Sequence, residues 1–474
     1  MHASNDPGRP GWVLALAAIA SFMVALDALV VTTALGSIRH GLGASLAALE
    51  WTVNAYNLSF AVLLMTGAAL GDRYGRRRMF SAGLALFVAA SVGCALAGGI
   101  GWLIAARAVQ GAGAALVMPL AMALLGVAFP REQRARALGI FGGVTGLAVL
   151  GGPLVGGAIT EGLAWQWIFW LNMPIGIATI ALVPGHIAES HGPRQPLDGP
   201  GLLLLAGGAF GLVWGLARGN SAGWASMEVD LALGAGLLLG TAFIARERRA
   251  AAPMVPLRFF HSPAFAAGNA AGFLFSASLY GTLFFMAQFF QTAQGHGPLG
   301  AGLRLLPWTA TLFIVAPLAG NLVQRIGERP LVAGGLLLQT VGLAWIALIA
   351  APDTAYLKLV APLVMAGAGI SMAMPAAQNA VIGAVAPAEI GKASGVYNTL
   401  RYLGGALGIA LLVAAFAALG GYTSPQAFSS GFAPALWVAA ALSLAGSLAG
   451  LFLPAHPSAA AARLPSTFKQ GEMS

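Results

Sequence analysis

The sequence has very few charged residues for its length. Of 474 residues, 24 are Lys or Arg and 15 are Asp or Glu, together 8%, whereas 58% are hydrophobic. A soluble domain carries about 25% charged residues, so this chain cannot cover a soluble surface. The apolar fraction also excludes an intrinsically disordered chain. Because apolar runs of about 20 residues recur, the length that spans a bilayer as a helix, the sequence predicts an all-α polytopic membrane protein.

Other classes are excluded by what the sequence lacks. Its one cysteine, Cys94, cannot form a disulfide within the chain, which excludes a disulfide scaffold. There is no G-x-x-x-x-G-K-S/T phosphate loop, so ATP hydrolysis is not the expected energy source. We expect no metal, no cofactor, no catalytic residues and no enzymatic activity. The net charge of +9 does not predict nucleic-acid binding, because the basic residues form short clusters between apolar runs.

Fourteen apolar segments are predicted to span the membrane. An even number places both termini on one side, and most Lys and Arg residues fall in segments on that side, which predicts that both termini are cytoplasmic. The predicted spans are 12–36, 49–71, 79–99, 101–128, 136–160, 166–185, 200–217, 229–247, 263–290, 299–324, 330–350, 357–384, 393–419 and 432–453.

An internal repeat divides the chain into two halves. The segment Gly111-Ala-Gly-Ala-Ala-Leu-Val-Met-Pro119 recurs as Gly367-Ala-Gly-Ile-Ser-Met-Ala-Met-Pro375, each in the fourth span of a six-span group. Repeated halves with a site between them are typical of transporters. The predicted division is a six-helix bundle at 1–185, an inserted helix pair and linker at 186–262, a six-helix bundle at 263–453 and a cytoplasmic tail at 454–474.

Several segments together carry a family resemblance. They are Leu26-Asp27-Ala-Leu in span 1, Asp72-Arg73-Tyr-Gly75-Arg76-Arg77 after span 2, Arg107-Ala-Val-Gln110-Gly111 in span 4, Gly152-Pro153-Leu-Val-Gly156-Gly157 in span 5, Trp165-Gln-Trp167 to Gly176 around span 6, Gly297 to Pro307 in span 10 and Asn398-Thr-Leu-Arg401-Tyr-Leu-Gly404-Gly405 in span 13. Because these segments occur together and in this order, the chain resembles the major facilitator superfamily, specifically the fourteen-helix drug:proton antiporter (EmrB/QacA-type) family. Two motif positions differ, because Ala68 and Ala148 stand where the family usually has glycine.

The resemblance implies a major facilitator fold of two six-helix bundles plus two inserted helices. It also implies proton-driven efflux by alternating access, with Asp27 in proton coupling. The residues alone support that role, since an ionisable group inside a membrane span is costly and burial disfavours its charged form. Arg107 is its expected partner, because the two residues lie at compatible depths. The alternative is a purely structural ion pair.

Two further motifs have both a functional and a structural interpretation. The loop containing Asp72, Arg73, Gly75, Arg76 and Arg77 is either a conformational gate or a cytoplasmic positive-inside cluster. The antiporter motif is either a device of the transport cycle or ordinary small-residue packing. Its residues are Gly152, Pro153, Gly156 and Gly157.

Amide and aromatic side chains are candidates for the substrate site. Buried amides in membrane helices either join helices together or bind a ligand. The predicted substrate-binding residues are Asn54, Asn57, Gln110, Phe284, Gln288, Asn379 and Asn398.

The function predicted from the sequence is export of hydrophobic or cationic drugs or antibiotics in exchange for protons. Alternatives are export of one endogenous metabolite and a non-transporting sensor or receptor of the same fold. The expected partners are small molecules, protons and the lipid bilayer, with a periplasmic adaptor protein as a further candidate. The Ala- and Gly-rich composition, with more Arg than Lys, favours a bacterial cytoplasmic (inner) membrane.

Overall fold

Fourteen membrane-length helices form the computed structural model, which describes residues 10–192, 198–250, 253–386 and 389–455. The predicted tail beyond residue 455 and the N-terminal leader before residue 10 lie outside this range. The helices of the first half are α1 (Pro10–Leu42), α2 (Leu46–Tyr74), α3 (Arg76–Ala95), α4 (Ile100–Ala128), α5 (Arg131–Gly162) and α6, which has the pieces Trp167–Trp170 and Asn172–His186. The inserted pair is α7 (Gly199–Ala222) and α8 (Met227–Glu247). The helices of the second half are α9 (Pro263–Gln288, followed by the π-helical turn Phe289–Ala293), α10 (in the pieces Pro298–Arg304, Leu306–Thr309 and Thr311–Ile326), α11 (Glu328–Ile349), α12 (Tyr356–Gly383), α13 (Ile390–Leu419) and α14 (Pro425–Gly450).

The predicted number and order of spans are confirmed, and several details differ, among them the start of α14 and the breaks in α6 and α10. Helix α14 begins at Pro425 rather than near residue 432, because Ser424 caps it by accepting a hydrogen bond from the Ala427 N–H and Pro425 follows at the first helical position. Helix α6 was predicted as continuous, but it breaks at Leu171.

Successive helices cross between two ends of the molecule. We call the basic end the one that carries Gly75, residues 129–130, 187–192 and Gly327, where most Lys and Arg residues of the connections lie. The opposite end carries residues 43–45, 163–166, 294–297 and 420–424. The sequence predicts that the basic end is cytoplasmic.

The internal repeat reappears in the packing. Gly111 in α4 lies against α2, and its counterpart Gly367 in α12 lies against α10. Two residues on, Gly113 lies against α3, and Gly369 lies against α11. A Cβ added at any of the four would lie only 2.1 to 2.7 Å from the neighbouring helix, so each half uses the same two glycines to bring its fourth helix close to its second and third.

Two helix pairs form most of the contact between the halves. Helix α5 meets α10 mainly through the first two pieces of α10, near the opposite end. There Gly157 faces the Pro298 carbonyl oxygen, and Gly302 faces the Pro153 carbonyl oxygen. Helix α2 lies along α13, where the rings of Phe60 and Tyr402 are 4.3 Å apart. We call the boundary between the two halves, along α5–α10 and α2–α13, the seam. It is closed at the opposite end by the contacts between α5 and α10.

The inserted pair α7–α8 packs at the side of this seam. Helix α7 contacts both α2 and α13. The rings of Trp51 in α2 and Phe210 in α7 are 5.4 Å apart, and the Asn220 amide nitrogen donates to the Ala414 carbonyl oxygen of α13 at 2.5 Å. The inserted pair is therefore fastened to both halves.

Candidate functional site

A buried ion pair lies at the centre of the first half. The Asp27 Oδ2 of α1 and the Arg107 Nη1 of α4 are 2.5 Å apart, and both residues are at most 1% exposed. The apolar helices around them leave no water to solvate either charge, so each depends on the other. The structure therefore brings together the two residues that the sequence singled out for proton coupling.

Amide side chains complete the surroundings of the carboxylate. Asp27 Oδ1 accepts hydrogen bonds from the Gln110 Nε2 at 2.9 Å and from the Asn172 Nδ2 at 2.8 Å. Asn172 is the first residue after the break in α6, and the same nitrogen also contacts the Ser91 hydroxyl at 3.0 Å. The break thus directs a polar side chain from α6 towards a charge on α1.

The guanidinium of Arg107 has its own set of contacts. Its Nη1 donates to the Gln110 Oε1 at 2.7 Å, and its Nε donates to the Thr52 carbonyl oxygen of α2 at 3.1 Å. The group lies 4.3 Å from the ring centre of Tyr56, a cation–π distance. Its Nη2 is buried without a partner. With Asn172 of α6 on the Asp27 side and Ser91 of α3 bonded to Asn172, groups from five helices of the first half form one polar network around the ion pair.

The antiporter motif joins α5 to two different partners. A Cβ on Gly152 would lie 2.6 Å from the Leu29 Cβ of α1, and one on Gly156 would lie 2.3 Å from the Thr33 hydroxyl oxygen. A Cβ on Gly157 would lie 2.6 Å from the Pro298 carbonyl oxygen in the other half. The motif therefore allows α5 to approach both the helix that carries Asp27 and the helix across the seam.

The basic loop after α2 is held by the segment that follows α6. Asp72 pairs with Arg76 at 2.7 Å, and Glu189 Oε1 accepts from the Arg77 backbone N–H at 2.9 Å. Gly75 has φ +109°, and a Cβ there would lie 2.7 Å from the Glu189 carboxyl carbon. Among the described residues, no hydrogen bond or ion pair joins Arg73 or the rest of this loop to the second half.

The predicted substrate residues do not form a single cluster. Asn54 and Asn57 are buried on α2, whereas Gln110 belongs to the Asp27 site. Gln288 is buried in α9, where its Nε2 donates to the Phe284 carbonyl oxygen at 2.6 Å. The other two predicted residues make separate contacts. Asn379 is exposed and donates to Glu328, and Asn398 donates to the Ser394 carbonyl oxygen.

Sequence reasoning missed two buried polar residues of the first half. Asn172 appeared only as part of a family motif, and nothing in its spacing indicated a contact with Asp27. Glu50 was not singled out, although span 2 was predicted to begin at residue 49; α2 begins at Leu46 and Glu50 is fully buried. The sequence signal was present, because an acidic residue stood one position inside the predicted span.

Comparisons with known proteins agree with this architecture. The family model of the Major Facilitator Superfamily matches residues 17–409. The chain is 36% identical over 416 residues to the tetracenomycin C resistance and export protein of Streptomyces glaucescens, covering 86% of this chain and 76% of that protein. It is 38% identical over 410 residues to the cephamycin export protein CmcT of Amycolatopsis lactamdurans, covering 84% of each.

Solved structures show the same fold at low sequence identity. A POT family transporter in complex with a thioalcohol-conjugated peptide superposes with a TM-score of 0.70 at 16% identity, covering 92% of this chain and 94% of that one. A D-xylose–proton symporter gives a TM-score of 0.66 at 16% identity, covering 94% and 98%. The predicted family and the predicted drug-efflux class are confirmed by these comparisons: the chain belongs to the major facilitator superfamily.

Proposed function

We propose that this multi-pass membrane protein exports hydrophobic or cationic antibiotics across a bacterial cytoplasmic membrane in exchange for protons. The observation that carries the proposal is the buried Asp27–Arg107 pair within a fold of two alternating halves. Relatives whose names record export of tetracenomycin C and cephamycin support an antibiotic as the substrate. One proton moving down 100 mV releases about 2.3 kcal/mol, which sustains roughly a fiftyfold substrate gradient.

Coupling follows from competition for the Asp27 carboxylate. A proton on Asp27 removes its negative charge and leaves the Arg107 cation without its counter-ion, which is unfavourable in a buried site. The five helices that meet there must then rearrange so that Arg107 finds another partner or water. Since a cationic substrate would compete for the same carboxylate, binding of one ligand disfavours the other, and exchange results.

The basic loop and the antiporter motif serve the alternation of the halves. The Asp72–Arg76 pair is partly exposed, and such pairs contribute only about 0–1 kcal/mol each, so they can break in every cycle. Gly157 brings α5 against α10 when the opposite end is closed. The buried amides Asn54, Asn57 and Gln288 are our candidates for substrate contact between the halves.

Proton release from everted vesicles tests the proposal. Adding a transported antibiotic should release protons from vesicles that contain the wild-type chain. Asp27→Asn should abolish this release, because the amide cannot exchange a proton at this pH. Asp230→Asn, an exposed carboxylate on α8, is the matched control and should behave as wild type. Unchanged release from Asp27→Asn at wild-type protein levels would refute the coupling role.

The same vesicles separate the alternative functions. A sensor would release no protons with any compound. An exporter of one metabolite would respond to a single compound, and a resistance profile in a pump-deficient host would show equally narrow protection.

The proposed orientation places both termini and the basic end in the cytoplasm. The division into bundles at 1–185 and 263–453, with an inserted segment at 186–262, belongs to the same proposal. A reporter fused after Gly421 should then be extracytoplasmic. Co-purification with a periplasmic adaptor would identify that further partner.

A further inference from the structure

Glu50 is a second carboxyl group inside the first half, and the coupling scheme makes no use of it. It lies on α2 about one turn from the opposite end and is 0% exposed. Its Oε1 accepts a hydrogen bond from the Asn54 Nδ2 at 3.1 Å, and its Oε2 has no partner. None of the ion pairs formed by the described residues includes Glu50.

Two further orphaned atoms lie beside it. The Asn54 Oδ1 and the Asn57 Nδ2 are also buried without partners. At about 100° per residue, Glu50, Asn54 and Asn57 fall within roughly 60° of the circumference of α2. Tyr56 and Ser59, which face Gly111 of α4, lie on the other side of the helix. The face of α2 that carries Glu50, Asn54 and Asn57 therefore points away from α4 of its own half and towards the second half.

Among the residues that the structure describes, no cation on the surrounding helices pairs with Glu50. Asp27 and Arg107 pair with each other, Arg39 stacks on Tyr422, and Arg218 pairs with Glu228. The ionisable side chains of the helices packed on this part of α2 are Asp27, Arg39 and His40 of α1, Cys94 of α3, Arg107 of α4, Arg218 of α7, and Arg401 and Tyr402 of α13.

An unpaired carboxylate in an apolar interior is so costly that the group takes up a proton instead. A protonated carboxyl group can donate from one oxygen and accept at the other, which suits the neighbouring amides. Glu50 is thus compatible with the closed opposite end only in its neutral form. Opening that end would expose Glu50 to water, where it can ionise.

We propose that Glu50 is a second proton-binding site, distinct from Asp27, which must be protonated before the opposite end of the seam can close. The unpartnered oxygens and nitrogen on α2 carry this inference, and no cation in the described part of the chain pairs with Glu50. It goes beyond the coupling proposed at Asp27 and assumes only that the halves alternate. Under the proposed orientation, the proton comes from outside the cell.

Distances across the seam test this inference without any transport assay. Leu163, which directly follows α5, and Leu303 in α10 are exposed at the opposite end, so cysteines that replace them can carry spin labels. Cys94 can remain, because it is fully buried. The distance distribution is measured in lipid nanodiscs between about pH 5 and about pH 9. For one linked proton, the ratio of closed to open molecules should fall by up to about tenfold for each unit by which the pH rises.

Three variants assign the proton to a residue. Glu50→Gln should remain closed at every pH, whereas Glu50→Asp should keep a pH response. Glu161→Gln is the matched control, because Glu161 is an exposed carboxylate at the same seam and accepts from the Leu299 backbone N–H. It should keep the wild-type response.

Two results would overturn the inference. One is a wild-type response that persists in Glu50→Gln. The other is a wild-type chain whose distances do not change with pH, a result that needs no variant to fold. Failure of Asp27→Asn in the vesicle assay bears on the coupling proposal alone, so the two hypotheses fail separately.

Discussion

Asp27 and Arg107 are tolerated in the membrane because each satisfies the other. Removing one partner of a buried ion pair is strongly destabilising, because the remaining charge is left uncompensated. Arg107 also holds Gln110 and the Thr52 carbonyl oxygen, so its loss affects several helices.

Replacing Arg107 with Leu should lower the free energy of unfolding by about 3–5 kcal/mol. The double variant Asp27→Asn with Arg107→Leu should recover part of this loss, because no buried charge remains, but it should not transport. Thermal unfolding of the purified proteins in detergent measures the stability of the single and the double variant. Equal stability of the two variants would show that the charge left on Asp27 is not what destabilises the single variant.

Gln110 is predicted to matter for coupling more than for substrate affinity. It bridges Asp27 and Arg107, and its only other hydrogen bond to a side chain within the described residues is with Cys94. Gln110→Leu should therefore reduce proton release several-fold while leaving the substrate concentration for half-maximal transport nearly unchanged. A large change in that concentration would instead return Gln110 to the predicted substrate site.

Single residues show what sequence reasoning can and cannot reach. Asp27 and Arg107 were identifiable because a lone charge in a long apolar run is conspicuous. Glu50 was not, because a charge near the end of a span is usually assigned to the interface. The role of Asn172 depends on a contact between distant segments, Asn172 of α6 and Asp27 of α1, which leaves no local pattern.

Close approach of α1 and α5 depends on glycine at particular positions. Gly156 has the Thr33 hydroxyl and the Val30 carbonyl within 2.6 Å of where a Cβ would lie, whereas Gly146 on the same helix has nothing within 4 Å. The two positions share a helix and a residue type and differ only in what surrounds them.

Gly156→Ala should destabilise the protein and reduce transport, because α1 and α5 must move apart. Gly146→Ala should be neutral or stabilising, because alanine is favoured over glycine in a helix by about 1 kcal/mol. Unfolding temperatures and proton release are measured for both variants side by side. Equal effects of the two changes would contradict the role of Gly156 in packing α5 against α1.

The ends of α7 and α8 are joined by a carboxylate outside the membrane spans. Asp198 caps α7 by accepting from the Gly201 N–H at 2.9 Å, and it pairs with Arg246 at 2.6 Å. Burial by itself would raise the pKa of Asp198, but the bonds from Arg246 and Gly201 outweigh burial and hold that pKa below its usual value.

Because the folded-state pKa of Asp198 is lowered, its contribution to stability is present above the ordinary Asp pKa of about 3.9 and is lost as the pH falls through the folded value. Asp198→Asn should therefore be less stable than wild type at neutral pH, with the difference shrinking below about pH 4. Thermal unfolding across this range checks the sign. A difference that grows on acidification would contradict it.

Helix boundaries were the weaker part of the sequence prediction. Hydropathy located all fourteen spans, yet it placed the start of α14 late because residues 425–431 are only moderately apolar. Capping by Ser424, not hydrophobicity, sets that boundary. The breaks in α6 and α10 were also missed, although a proline, Pro174 or Pro307, stands within three residues of each break and removes a backbone donor.

At the scale of the whole molecule, the repeat in sequence corresponds to a repeat in packing. The halves nevertheless differ chemically, since the described helices of the second half hold no acidic side chain in their membrane interiors. The composition predicted the class of protein and the repeat predicted two halves. Which end is closed could not be predicted, because that depends on contacts between α5 and α10 across the seam.

Locking the closed end should stop the cycle. Cysteines replacing Glu161 and Gly297 face each other across the seam, since a Cβ on Gly297 would lie 2.4 Å from the Glu161 Oε2. A short reducible cross-linker between them should abolish proton release, and reduction should restore it. Each single-cysteine variant treated with the same reagent is the control, and full activity of the cross-linked protein would contradict alternation at this seam.

The inserted helix pair has a mechanical consequence. Helix α7 is attached to α2 through aromatic stacking and to α13 through Asn220, so it cannot follow both halves when they rotate. Under the proposed alternation it must slide or tilt, and only 17% of the most apolar window of α8 is buried within the protein. The outer side of α8 would then move against the bilayer in each turnover, so we expect the transport rate to depend on bilayer thickness.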